Sequence, residues 1–210
     1  MINNQKGFTL TELIAGVALT TLLFAGFIMF LLQFYGNFKE IAEYNTLQHE
    51  LLETIEALRY GYIKHGVNDN ESIIGLLTAK DVHIASNGKS LTITPIVVKA
   101  GERHWASYSL SAKGEIILNA VYGIKSINGE VVFPKSKEVI DKNLKYKITD
   151  FQIRNISPVV SDKIALVSIA IEGQVRFRPK QSGQNKVDDE RLNTKTARFE
   201  TKVFISNYDN

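Results

Sequence analysis

The chain has 210 residues, 44% apolar and 22% charged, a balance that suits one folded domain carrying an added segment. It has no cysteine, so disulfide staples, thiolate metal sites and a cysteine nucleophile are all excluded. The net charge of +3 is uneven: residues 1–79 hold four basic and eight acidic side chains, and residues 80–210 hold 21 basic and 14 acidic ones. Such a basic back half reads as a solubility feature, or as a surface for an anionic partner such as nucleic acid, lipid or an acidic protein.

In chain order, the first feature is QKGFTLTELIAG at residues 5–16, followed by an apolar run. From Leu13 to Leu32 there is no charged residue. Twenty residues in a helix cover roughly 30 Å, the thickness of a bilayer's hydrocarbon core. The run is too long for the core of a secretory signal, and no small-residue cleavage site follows it. It reads as a retained span, with Lys6 and the terminal amine on the inner side. One carboxylate, Glu12, stands at its head. A charge held deep in the span costs roughly 2.5–3.5 kcal/mol on insertion scales, whereas a carboxylate near a helix N-terminus gains about 0.3–1 kcal/mol from the dipole. The dipole accounts for an acid there but not for the Gly-Phe-Thr that precedes it.

Lys6-Gly7-Phe8-Thr9-Leu10-Thr11-Glu12-Leu13, ahead of a charge-free span, closely resembles the class III signal of type IV pilins and of the pseudopilins of secretion and competence systems. The resemblance implies a leader at residues 1–7, cut between Gly7 and Phe8 by a prepilin peptidase on the cytoplasmic side, and N-methylation of Phe8. It also implies a role for Glu12. Phe8 and Glu12 are i and i+4, on one helix face. In an array of parallel helices, Glu12 of one subunit can pair with the Phe8 amine of its neighbour, neutralising two charges that lipid disfavours. The partners implied are the peptidase, other pilin or pseudopilin subunits and an inner-membrane assembly platform. A cytoplasmic-membrane protein with an extracytoplasmic head is the location implied.

Beyond the span, Phe34, Phe38, Ile41, Tyr44, Leu47, Leu51, Ile55, Leu58 and Tyr62 recur at spacings of three or four, with Glu40, Glu43, Glu50, Glu53 and Glu56 elsewhere on the helix. No proline interrupts residues 1–94. The pattern predicts one helix from about Phe8 to Lys64, roughly 85 Å long, within an N-terminal segment 8–65 that spans a membrane at about 8–32. Many major pilins carry a proline in this helix, and its absence is more similar to minor pilins and pseudopilins. Lys64-His65-Gly66 supplies a helix stop, and Asn68–Ser72 a turn and N-cap ahead of a short helix, ESIIGLLTAK. The acidic turn lacks the alternating ligands and the closing glycine and glutamate of a calcium loop.

The head, residues 66–210, reads as strands: DVHIAS, SLTITPIVV, HWASYSLSA, EIILNAVYG, EVVFP, YKITDFQI, KIALVSIAIEGQVRFR and TARFETKVFIS. Asn87-Gly88, Lys113-Gly114, Asn128-Gly129 and Pro134 are the hairpin signals, and residues 180–195 form a polar loop. The fold expected is α+β: a long N-terminal helix followed by a globular antiparallel β-sheet head. This order resembles the larger minor pilins and the J-component pseudopilins of type II secretion. It departs from them at the end, where Ser206-Asn207-Tyr208 stands in place of an Arg-Asn pair.

Catalysis has no support in the sequence. His49-Glu50-Leu51-Leu52-Glu53 replaces the second histidine of the zinc-protease motif with glutamate. His65, His83 and His104 are scattered, and no nucleophile elbow, P-loop or dinucleotide fingerprint occurs. His104-Trp105 beside Tyr108 reads as core rather than as an aromatic patch. No cofactor or metal is expected. The function expected is a structural minor subunit of a type IV pilus-like filament or secretion pseudopilus, in its initiating or tip complex. The alternatives are a competence pseudopilus subunit for DNA uptake, or an unrelated membrane-anchored binding domain.

Overall fold

The computed structural model describes residues 9–61, 63–65, 70–72, 74–95, 104–123, 125–140, 143–157, 164–177 and 194–205. Gly7, Phe8, Tyr62, Gly66, Asn68 and Asp69 lie outside them, as does most of the expected 180–195 loop. The fold is the α+β arrangement expected: one long helix, then antiparallel sheet. Two compact units divide the chain, Met1–Glu43 and Tyr44–Asn210.

Helix α1 runs from Leu10 to Tyr60. Thr9 begins it, its carbonyl accepting the first helical bond from Leu13 N at 3.1 Å. In the first unit the apolar side chains face outward: every residue from Leu13 to Leu32 is exposed, and Phe34, Phe38 and Ile41 of the expected stripe are exposed too. Thr20 and Thr21, inside the apolar run, donate their hydroxyls to the carbonyls of Gly16 and Val17, each at 2.7 Å. Bonding back to the helix satisfies these hydroxyls without water.

In the second unit α1 supplies Leu47, Leu51, Ile55 and Leu58 to the core. Burying each of these side chains stabilises the unit by about 1.5–3 kcal/mol. The helix ends at Tyr60, four residues before the expected Lys64. Gly61 takes φ 101° and donates its N–H to Ala57 O at 2.9 Å, the single-bond left-handed stop that glycine favours. Ile63–His65 (β1) then pairs with Asn70–Ser72 (β2) in a small hairpin.

The predicted helix over 71–80 does not form. Among its described residues, Glu71 and Ser72 lie in β2, Leu76–Thr78 form a single 3₁₀ turn, and Ala79 and Lys80 open β3. Gly75 is pressed against the end of α1, where a Cβ would lie 2.2 Å from Gly61 N and 2.4 Å from Tyr60 C. That backbone approach, together with the complete burial of Leu76, outweighs the local helical pattern.

Five strands, β3 (Ala79–Ile84), β4 (Ser90–Pro95), β5 (His104–Leu110), β6 (Ile116–Tyr122) and β7 (Lys125–Phe133), form an antiparallel sheet in sequence order. Gly88 and Gly114 close the β3–β4 and β5–β6 hairpins, as expected. Asn128-Gly129 does not turn a hairpin. It lies inside β7 as a bulge, with Gly129 at φ 71° donating its N–H to Asn119 Oδ1 at 2.8 Å; the β6–β7 turn falls at Gly123 instead. Pro134 follows the strand through a cis peptide bond. A two-residue pairing, β8 (Val139–Ile140) with β9 (Asn143–Leu144), was not expected. Lys145 Nζ pairs with Glu138 Oε2 at 2.7 Å across its base.

Strands β10 (Tyr146–Asn155), β11 (Leu166–Arg176) and β12 (Thr194–Phe204) make a second antiparallel sheet with β11 central. Thr194 and Lys195, expected in the polar loop, open β12. The two hairpin turns of the larger sheet bond to β10: Gly114 O accepts from Ile148 N and Gly88 O from Ile153 N, both at 2.8 Å. The buried faces of both sheets and of α1 meet in one cluster, which includes Tyr108, Leu118, Phe133, Phe151, Ile169 and Ile171.

Candidate functional site

The residues that carry chemistry cluster at the start of α1. Thr9, Leu10, Thr11 and Glu12 form a capping box. Glu12 N donates to Thr9 Oγ1 at 3.3 Å, and Thr9 N donates back to Glu12 Oε2 at 3.0 Å. Thr9 Oγ1 also donates to Glu12 Oε2, at 2.9 Å. Two otherwise orphaned donors of the first helical turn are thus satisfied reciprocally. Both bonds to the carboxylate use Oε2, which leaves Oε1 as the acceptor through which a neighbouring cation can be met. Of the expected site residues, Glu12 is placed by these bonds, whereas Gly7 and Phe8 lie outside the described residues. Thr9 is the member of the site that the sequence reading passed over; the T-x-x-E spacing at residues 9–12 is the signal that identifies it.

Behind this box lies a helix long and apolar enough to cross a membrane, none of whose most apolar window is buried against the rest of the chain. Gly16, Gly26 and Gly36 lie on it with open space where a Cβ would stand. Contacts within this chain therefore do not require those glycines.

The other side chains singled out in the sequence have structural surroundings. Glu50, 8% exposed, accepts a bond from Lys135 N at 3.1 Å. Desolvation raises its pKa above the ordinary carboxylate value, and the Lys135 bond opposes that shift. Glu53 pairs with Lys135 Nζ, and His49 Nε2 lies 3.4 Å from Glu53 Oε1. The near-motif for zinc thus ties the helix to the segment after β7. His104 and Tyr108 share the buried face of β5, and Trp105, expected in the core, does not. Tyr108 is fully buried and its hydroxyl donates to Ala57 O at 3.4 Å, His104 meets Tyr122 edge-on at 4.6 Å, and Trp105 alternates to the opposite face.

Residues 2–28 match the prokaryotic N-terminal methylation motif. The match covers the expected cut at Gly7–Phe8, the capping box and more than half of the apolar run. It supports a class III signal of the type IV pilin-like kind ahead of a helix able to anchor the chain in a membrane. No curated protein and no solved structure matches the chain.

Proposed function

We propose that this chain is a structural subunit of a type IV pilus-like filament or a secretion pseudopilus, and that it performs no catalysis. One observation carries the reading: the N-terminal methylation motif at residues 2–28 stands at the head of a helix whose apolar length is exposed from Leu13 to Leu32. In this account a prepilin peptidase cuts between Gly7 and Phe8 and Phe8 is methylated. The segment about 8–32 stays in the cytoplasmic membrane until neighbouring helices replace lipid around it, and residues 66–210 form the extracytoplasmic head.

Glu12 is the assembly residue. Its carboxylate meets the Phe8 amine of the subunit beside it, so that two charges enter the apolar array as a pair. A subunit at the extreme tip has no neighbour above it to supply such an amine. The presence of Glu12 therefore favours a minor subunit just below a tip partner, in the complex that initiates assembly. The missing helix proline and the large β-rich head support the minor-subunit reading, in the manner of a J-component pseudopilin.

Intact mass of the protein from membranes tests the maturation step. The expected species lacks residues 1–7 and carries one extra methyl group on Phe8. Retention of the leader in cells with an active peptidase would overturn the assignment. A bulky replacement of Gly7 is expected to block cleavage without preventing membrane insertion.

A further inference from the structure

Strand β11 turns Val167, Ile169 and Ile171 into the core, and Leu166, Ser168 and Ala170 to the opposite face of its sheet. On that outer face Ser168 and Ala170 are nevertheless only 8% exposed each. Longer side chains stand on both sides of them: Gln152 and Arg154 from β10, Glu200 and Lys202 from β12, in register with Ala170 and Ser168. The result is a groove of about 500 Å³ floored by β11, within the range of ligand clefts, about 300–1,000 Å³.

The two ends of the groove differ. Beyond Ala170, Asp150, Glu172 and Arg198 stand in one cross-strand row. Arg198 Nη1 lies 4.0 Å from Asp150 Oδ2 and 3.9 Å from Glu172 Oε2, a bridge over all three strands that closes this end. The other end is apolar and open: Leu166 forms the floor, Phe204 opposite it is 65% exposed, and Ile156 is 37% exposed. Midway, Arg154 and Lys202 flank Ser168, their Cα atoms roughly 10 Å apart at a strand spacing of about 4.8 Å. Among the described residues neither cation has a carboxylate within ion-pair distance. Arg154 Nη2 donates to Gln152 Oε1, and Gln152 Nε2 donates to Asp150 Oδ1 at 3.3 Å, so a neutral amide orients the guanidinium without cancelling its charge. Glu200, two residues before Lys202, accepts from Ser168 Oγ at 3.1 Å through Oε1, which leaves Oε2 to accept an N–H.

We propose that this groove binds the C-terminal end of another polypeptide, with the terminal carboxylate between Arg154 and Lys202 and the last apolar side chains on Leu166, Ile156 and Phe204. Charge complementarity selects the carboxylate, because a guanidinium and an ammonium both make strong, charge-assisted hydrogen bonds to it. The apolar mouth selects the residues just before it, whose packing takes Phe204 and Ile156 out of water. The Arg198 bridge selects a chain end. A segment running through the groove with an acidic side chain would meet that bridge beyond Ala170, whereas a terminus stops short of it. Glu200 Oε2 then accepts the amide N–H of the terminal residue, so the one carboxylate in the groove outside the bridge faces a donor and not the incoming anion. Such a site suits a filament subunit or any other membrane-anchored protein alike, so it does not rest on the filament reading.

Fluorescence anisotropy tests this, with the full chain in nanodiscs titrated into a labelled Gly-Ser-Gly-Ser-Leu-Leu peptide whose C-terminus is free. Saturable binding with a Kd below about 100 μM is expected at low salt, weakening as salt screens the two cations. The same peptide with a C-terminal amide should bind at least about tenfold more weakly, and so should an amidated peptide that carries an internal glutamate before Leu-Leu. A free-acid peptide ending in Ser-Ser should lose a similar factor, about tenfold, for want of apolar contact. Arg154→Gln and Lys202→Gln, both at exposed positions, should each weaken binding of the free-acid peptide about tenfold and leave the melting curve unchanged. Lys80→Gln, on the five-stranded sheet, should alter neither. Equal binding of the acid and amide peptides would overturn the proposal. So would the absence of saturable binding by about 1 mM, tighter binding of the internal glutamate, or an affinity indifferent to both groove substitutions.

Discussion

Glu12 closes a capping box within the chain and, in the proposed filament, pairs with a neighbour's amine; different substitutions separate the two. Inside the chain it closes the capping box with Thr9, and a glutamine can do the same, because the box needs an acceptor and not a charge. Between chains, pairing with an amine needs the charge. Glu12→Gln should therefore keep the start of α1 intact and still be recovered poorly in sheared filaments or in crosslinks to partner pilins. Glu12→Val should lose both arrangements, yet insert at least as well as the parent because an insertion penalty is removed. Under the proposed maturation both variants should still be cleaved after Gly7, because neither substitution alters that glycine. If Glu12→Gln assembles normally while Glu12→Val does not, the carboxylate serves as a cap. If both assemble normally, neither arrangement matters to the filament. The glutamate itself was legible in the sequence as an isolated charge before a charge-free run. Its bond to Thr9 is written only in the T-x-x-E spacing of residues 9–12, a local capping pattern that the isolated charge does not reveal.

At the level of elements, legibility followed how local the determining forces are. The eight expected strands all form, because alternating burial and Gly-containing turns are written within a few residues: Leu91 and Ile93 point inward between half-exposed Ser90 and Thr92. What the sequence did not reveal depends on contacts between distant segments. The pattern across ESIIGLLTAK suits a helix, but Gly75 has to lie against Tyr60 and Gly61, and a helix would hold it elsewhere. Asn128-Gly129 has a hairpin composition, yet its glycine serves a bulge tied to Asn119. Gly75→Ala tests the first of these. A methyl group 2.2 Å from a backbone nitrogen cannot be relieved by a side-chain rotation, so the turn and the end of α1 must separate. The expected cost is about 1–3 kcal/mol, as for overpacked cores. That corresponds to a lowering of Tm by roughly 2–12 °C for a unit of this size, read by thermal melting of the chain truncated before Tyr44. An unchanged Tm would mean that the two backbones part without cost.

Across the whole molecule, charge is the remaining signal, and it decides between partners. The unit Tyr44–Asn210 carries 23 basic and 19 acidic side chains, a modest excess. Several of the cations are already engaged: Lys145 with Glu138, Lys135 with Glu53, and Arg198 beside Asp150 and Glu172 at 4.0 and 3.9 Å. A surface that binds nucleic acid must spend its cations on phosphates, and each phosphate neutralised steepens the loss of affinity with salt. Cations held by carboxylates are poorly placed for that. We therefore expect the chain truncated before Tyr44 to hold duplex DNA only weakly at 50 mM salt. Three or four phosphate contacts would then lose roughly a hundredfold in affinity by 200 mM, leaving no retention. Gel-shift or fluorescence-anisotropy titrations over that range give the slope directly. A complex that survives 200 mM salt would require more contacts than this excess supplies, and would favour a DNA-uptake filament over the secretion or pilus role.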